Sequence, residues 1–530
     1  MCGLFFVMAH GRSKGEVRDM VDRGLRAQSH RGPDGRGIEI VEGRDGVVAG
    51  IGHLRLSILD PRPESDQPLR DDESGSILAF NGEIYNYREL RGELRPRALF
   101  EKSIGDTAVM LAGLVDHGPA FLPRMNGMWA YILHDPARET IQIGRDRFGI
   151  KPLYVYHQPG ELLILSSEIK GILAVVGGRA ASAERIAEYL VRGRTNFSGG
   201  TFFEGIEAFD SAAWAEFPVS AKGLAQPPKA NAFWVHPRLR PEFSEAPSTA
   251  EEIRELFKDA VRLHLRSDVP YAVTLSGGID STALICAARA LDPDGRLTAF
   301  SAASRDPRVT EEPFQRIAAA YVGCDWRRVQ MDDRIDALFS AIGDVTWHND
   351  QPLKSISDLA LFELCREARS EGVIVMLNGQ GADEQLCGYN KYLYAHVFDM
   401  ARQGNLPRAA ATIAGFAAQG TVLNEFRYAE AKRYIPSLGK SGDSAVFGPA
   451  LADQVGTLSS LVPGRTVKDF EVADLLRNSV PQLLHAEDRL SMAASTEMRV
   501  PFLDYRLVER LAAVPAGQKL RNGWTKHIFR

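Results

Sequence analysis

The stretch Tyr271 to Ser281, Y-A-V-T-L-S-G-G-I-D-S, constrains this chain more than any other. An apolar run with β-branched residues meets two glycines, an aspartate and a serine, then enters T-A-L-I-C-A-A-R-A-L, which predicts strand, tight turn and helix. Gly277 and Gly278 let backbone N–H groups converge, and the helix N-terminus adds partial positive charge, so the turn suits a phosphate or pyrophosphate. No Gly-Lys-Ser/Thr follows, which excludes the Walker loop. Asp280 lies inside the anion cradle, where a carboxylate makes chemical sense if a divalent cation bridges it to phosphate oxygens. The competing reading is a turn that needs glycine for its conformation alone.

The remaining chain narrows the class. At 530 residues, two or more domains are expected, and 45% hydrophobic with 25% charged residues is an ordinary globular composition. A net charge of −5 and the lack of a polybasic run leave no footprint for nucleic acid or an anionic membrane, so small-molecule partners are expected. Five scattered cysteines, with no CxxC pair, fit a reducing compartment and argue against a disulfide framework or zinc. No stretch approaches a spanning length and no basic leader precedes the apolar start; the expectation is a cytoplasmic protein.

Cys2 comes directly before Gly3 and the apolar run Leu4 to Ala9, which predicts a buried strand. With Met1 removed, Cys2 would carry a thiol and a free α-amine, so nucleophile and base would need only one residue. A buried, unreactive cysteine is the competing reading. Further along stand His30-Arg31-Gly32-Pro33-Asp34, His53 to Ile58 with Arg55 among apolar residues, Asn81-Gly82-Glu83-Ile84-Tyr85-Asn86, and Ser103 to Thr107 opening a helix.

In the second half, the helix expected over Thr249 to Arg266 leads into the glycine turn. Strand signals recur at Leu297 to Ser301, Trp326 to Gln330 and Val373 to Leu377, with helices between. That alternation predicts an α/β doubly wound parallel sheet with ligands at the strands' carboxyl ends. A second loop, Asn378-Gly379-Gln380-Gly381-Ala382-Asp383-Glu384, falls there, and Asp383 joins Asp280 as a plausible Mg²⁺ pair.

Taken together these segments resemble the glutamine-hydrolysing asparagine synthetase family: a class II glutamine amidotransferase domain followed by an ATP-pyrophosphatase synthetase domain. The resemblance implies an α+β four-layer N-terminal-nucleophile hydrolase domain (αββα) at 2–205, a connector at 206–248 and the ATP-binding domain at 249–530. It further implies that Cys2 attacks glutamine, with the Asn81 amide and the Gly82 N–H holding the oxyanion. Loss of one such donor typically costs about 3 kcal/mol. Arg55 would take the substrate carboxylate, and Glu83 and Asp106 its α-ammonium. ATP would lie on Leu275, Ser276, Gly277, Gly278, Asp280, Ser281, Gly379, Gln380 and Gly381, with Mg²⁺ on Asp280 and Asp383. Lys526, in W-T-K-H-I-F-R, matches a lysine taken to stabilise adenylate formation. The E-D-R and E-M-R-V-P-F-L-D segments from Glu487 to Asp504 match the family and are expected to be mainly scaffold.

Three departures bear on mechanism. Gln380 replaces an acid that some relatives use for the protons of ammonia, so either Glu384 or water takes that task or deprotonation of the amine is not limiting. Residues 347 to 360 do not resemble the segment linked to aspartate binding, so aspartate leads as acceptor with a uronic acid sugar or a peptide carboxylate as rivals. The turn at Phe209 to Trp214 also differs. A non-catalytic regulatory protein and an uncoupled glutaminase remain open alternatives, as does a homodimer.

Overall fold

A computed structural model describes residues 2–195, 199–420 and 466–530. The alternating apolar runs of the first half form twelve strands: β1 (Gly3–His10), β2 (Gly35–Glu42), β3 (Val47–Arg55), β4 (Leu69–Arg70), β5 (Ile77–Ile84), β6 (Gly127–Asp135), β7 (Thr140–Arg145), β8 (Tyr154–Gln158), β9 (Leu162–Ser166), β10 (Ile206–Ala208), β11 (Ala213–Pro218) and β12 (Asn231–Ala232). They make two six-stranded sheets, ordered β10-β8-β9-β1-β3-β2 and β12-β11-β7-β6-β5-β4, with antiparallel pairing throughout.

Side chains alternate faces along a strand, and here both faces are covered. Leu4, Phe6 and Met8 of β1 meet Ala79, Ile132 and Ile143 between the sheets. Phe5 and Val7 point the other way, against Val17, Val21 and Leu25 of the helix Lys14–Ala27 and Ile172 of the helix Ile169–Val176. Phe80, Trp129 and Tyr131 pack outward on the helix Asp106–His117. The result is the four-layer αββα arrangement expected. The stretch expected to be a bare connector instead adds β10, β11 and β12 to these sheets. Its polar and proline-rich composition hid short strands that are held by tertiary pairing.

The second half builds a five-stranded parallel sheet, β15-β14-β13-β16-β17, from β13 (Tyr271–Thr274), β14 (Thr298–Ala303), β15 (Asp325–Gln330), β16 (Val375–Leu377) and β17 (Glu497–Arg499). The chain proceeds from β13 outward to β15, then returns to place β16 on the other side of β13. The order therefore reverses at the β13–β16 pair, and the loops leaving those two strands face one crevice. β17 escapes sequence reading because E-M-R carries two charges; it is nonetheless fully buried. The two halves share apolar clusters: Tyr85, Met128, Phe148 and Ile150 meet Leu263, Leu484, Val500 and Leu503 in one, and Leu56 and Ile58 join Ile253, Val273 and Leu275 in another.

Candidate active site

In the first half, β1 and β5 bring Cys2 beside Asn81. The Cys2 N–H donates to Asn81 Oδ1 at 2.9 Å, while Sγ lies 4.0 Å from the Leu56 carbonyl oxygen. Burial pushes the thiol pKa up. The other end of the Asn81 amide, Nδ2, is buried and has no hydrogen-bond partner among the described residues. A buried donor without a partner costs about 1–3 kcal/mol, so this amide is prepared for an acceptor that arrives with substrate. Gly82 follows at φ +155°, where a Cβ would stand 2.0 Å from the Met128 carbonyl oxygen. Only glycine allows the strand to turn its N–H here. Met1 lies outside the described residues.

Glu83 and Asp106 are buried near each other, and Glu83 is 3.6 Å from Arg499 Nη2. Asp106, at the first turn of its helix, accepts the Ile84 N–H at 2.8 Å. Burial raises both carboxyls, Asp106 to about 7, and neighbouring Glu497 adds to the effect. An incoming ammonium would relieve that repulsion. Arg55 is less open than expected: its guanidinium donates to the Asp60 carbonyl at 2.5 Å, the Arg62 carbonyl at 2.9 Å and Asp66 Oδ1 at 2.6 Å.

In the second half, the β13 turn is fixed by its own hydroxyls. Ser281 Oγ accepts from the Ser276 N–H at 3.2 Å and lies 3.0 Å from Ser276 Oγ. Leu275 is tied to β14 through its N–H on the Phe300 carbonyl, 2.8 Å. Gly277 has φ +86°, and Gly278 caps the helix Ile279–Leu291. The second turn lies against the first: a Cβ on Gly379 would come within 3.0 Å of Asp280 Cβ. The Gln380 N–H is held by Asn378 Oδ1 at 3.1 Å, and Gly381 takes φ +86°.

Asp280 and Asp383 are bridged by one ammonium, Lys526 Nζ, at 2.5 and 2.6 Å. The lysine's pKa is raised, because the two carboxylates outweigh its burial. Burial first, then Asp383, push Asp280 up to about 6, and its Oδ1 is buried without a partner among the described residues. A cation standing between two carboxylates beside a phosphate cradle marks a cation site. Among the described residues no group of three or more acidic, histidine or cysteine side chains is placed to hold a metal by itself, but Mg²⁺ needs only one or two carboxylates when phosphates complete its shell. The residues therefore fit Mg²⁺. Glu384 is buried and raised in pKa, with Oε1 accepting from Ser479 Oγ at 2.5 Å and the Tyr389 hydroxyl at 3.0 Å.

The family model for asparagine synthase matches residues 252–530, and that for a glutamine amidotransferase domain matches residues 1–228. The chain belongs to the asparagine synthase family. A Mycobacterium bovis protein with a provisional asparagine synthetase (glutamine-hydrolysing) name is 30% identical, over 100% of this chain and 84% of that protein. Asparagine synthetase (glutamine-hydrolysing) 1 of Bacillus subtilis is 28% identical over 94% of this chain and 79% of its own length. The family is mixed: Amidase chry2 of Gibberella zeae is 26% identical over 100% of this chain and 86% of its own.

Several residues of this asparagine synthase family member escaped sequence reading. Arg31, fully buried, donates from Nε to the Cys2 carbonyl at 2.9 Å and from Nη1 and Nη2 to Asp488 at 2.8 and 3.1 Å, with Glu168 a further 2.8 Å partner. One side chain thus joins the Cys2 backbone to a helix of the other half. Nothing in H-R-G-P-D announced this, since a turn arginine is ordinarily solvated. Glu487 and Arg499 likewise look like scaffold until the fold places them.

Proposed function

We propose that the protein is an ATP-dependent, glutamine-fed carbon–nitrogen ligase acting on a carboxylate, with aspartate as the leading acceptor. The observation carrying this reading is the pairing of two sites in one chain, a buried Cys2 beside the open Asn81 amide and a glycine-turn crevice whose Asp280 and Asp383 share the Lys526 ammonium, with an apolar layer shared by the halves. Cys2 Sγ attacks the glutamine side-chain carbonyl, Asn81 Nδ2 and the Gly82 N–H hold the oxyanion, and Glu83 and Asp106 hold the α-ammonium. Ammonia then crosses the apolar layer. In the cradle the acceptor carboxylate attacks the α-phosphate of ATP to give an acyl-adenylate and pyrophosphate. The Ser276 to Ser281 turn and the loop at Gly379 to Gly381 hold the nucleotide, and Lys526 follows the shifting phosphate charge. Mg²⁺ on Asp280 and Asp383 would neutralise phosphate charge when bound.

The departures at residues 347 to 360, together with amidases among the relatives, support a second acceptor class, a uronic acid or a peptide carboxylate. Among the described residues no helix is long and apolar enough to cross a membrane.

The test is a screen of carboxylic acids, aspartate first, for conversion of ATP to AMP and pyrophosphate, run with Cys2→Ala alongside. The variant should lose all use of glutamine yet form amide from added ammonium. Equal loss of both activities would refute separate sites. Absence of AMP with every acid would refute the ligase reading.

A further inference from the structure

Gln380 poses a chemical problem, because its amide cannot take up a proton near neutral pH. The nitrogen that joins an acyl-adenylate carries one proton too many. Glu384, the acid expected to take that task, already has Oε1 engaged by Ser479 and Tyr389.

Another carboxylate stands closer to the task. Glu487, on the helix Val480–Ala493, is 4% exposed. Asn378 Nδ2 donates to its Oε1, and the Gln380 side-chain amide lies beside it, while Oε2 is buried with no partner among the described residues. Asn378 is the first residue beyond β16, its N–H donating to the Arg499 carbonyl at 3.0 Å, and its Oδ1 fixes the Gln380 backbone. Asn378 therefore ties Gln380 and Glu487 to one point. Gly379, between Asn378 and Gln380, lies so near Asp280 of the phosphate cradle that a Cβ on it would come within 3.0 Å of Asp280 Cβ. Next to Glu487, Asp488 pairs with Arg31 of the glutaminase half, so the carboxylate stands where the two halves meet.

We propose that Glu487 accepts the proton released by the nitrogen as it joins the activated acceptor carboxylate, the task Gln380 cannot perform. The inference rests on the ligase reading above. Ammonia forms the N–C bond at the acyl carbon; Glu487 takes one proton from that nitrogen; the C–O bond to phosphate then breaks, leaving amide and AMP. The surroundings suit this. Burial pushes the carboxyl up to about 8; Asn378, Gln380 and the Lys151 ammonium lower it, and Glu384 raises it. The Cys365 thiol is the other titratable group that senses it. A proton acceptor works best when its pKa lies near the working pH.

Glu487→Gln keeps the shape and the acceptor for Asn378, so it separates proton transfer from positioning. Aspartate, then glucuronate, then a peptide carboxylate are tried as probes, and the acid supporting wild-type ATP–pyrophosphate exchange is used. The variant should keep that exchange within about threefold while glutamine-fed amide formation falls at least about 100-fold. The double variant Gln380→Glu with Glu487→Gln, which moves the acid across the pair, should recover amide formation to within about tenfold of wild type. Wild-type amide formation by the single variant would overturn the proposal, as would parallel loss of exchange and amide formation without recovery in the double variant. Failure of the ligase reading is a different result: no exchange by the wild type with any acid.

Discussion

Asn81 has two roles in one amide: its oxygen holds the Cys2 N–H and its nitrogen is left open. Asn81→Ala should therefore lower kcat for glutamine hydrolysis by about 10²–10³-fold, as loss of one oxyanion donor does, measured as glutamate release. Asp106 gives a pH prediction. Its carboxyl is moved from 3.8 to about 7 by burial, and only the ionised form attracts the glutamine ammonium. KM for glutamine should therefore fall as pH rises through about 7 and then level off, and Asp106→Asn should flatten the profile and raise KM. The same shift has a stability sign. Between about 4 and 7 the folded state holds a proton that the unfolded state releases, so the stabilising contribution present at acid pH is lost as pH rises across that window.

At the scale of elements, the crevice proposed for ATP is two short strand-to-helix turns pressed together, each needing one left-handed glycine. Gly277 and Gly381 both take φ +86°. A Cβ on Gly381 would also stand 2.5 Å from Leu503 Cδ2. Gly381→Ala should cost about 1–3 kcal/mol in urea unfolding from backbone strain, and should weaken ATP–pyrophosphate exchange because Gln380 and Asp383 flank it. β17 adds a contrasting lesson, since its burial is explained by partners and not by composition. Arg499 Nε pairs with Glu497 Oε1 at 2.6 Å, and its Nη1 donates to the carbonyls of His264 and Arg266.

At the scale of the whole molecule, the halves are joined by buried ions as much as by apolar side chains. Arg31 reaches Cys2, Glu168 and Asp488; Lys170 reaches Glu168 and Asp350; Asn126 reaches Asp504 at 2.8 Å. Removing one member of such a buried network leaves its partners uncompensated, at about 3–5 kcal/mol. Arg31→Met should lower unfolding stability by an amount of that order and raise the ratio of glutamate released to amide formed, because it frees the Cys2 backbone from the synthetase helix. An unchanged ratio would show that Arg31 has no part in coupling the two reactions.

The sequence by itself determined four of the five parallel strands and the two glycine turns, because periodicity and backbone conformation are local properties written residue by residue; the layered first half followed from its resemblance to a known family. It also supplied Cys2, Asn81, Asp280, Asp383 and Lys526 as candidates. Only the tertiary structure decided that Ile206–Ala208, Ala213–Pro218 and Asn231–Ala232 are strands of the two antiparallel sheets, that Arg55 is held by its own loop, and that Arg31, Glu487 and Arg499 lie beside the candidate sites. These are consequences of long-range contact. A charged side chain has no sequence signature for burial, and its role emerges when distant segments remove it from water and set its partners.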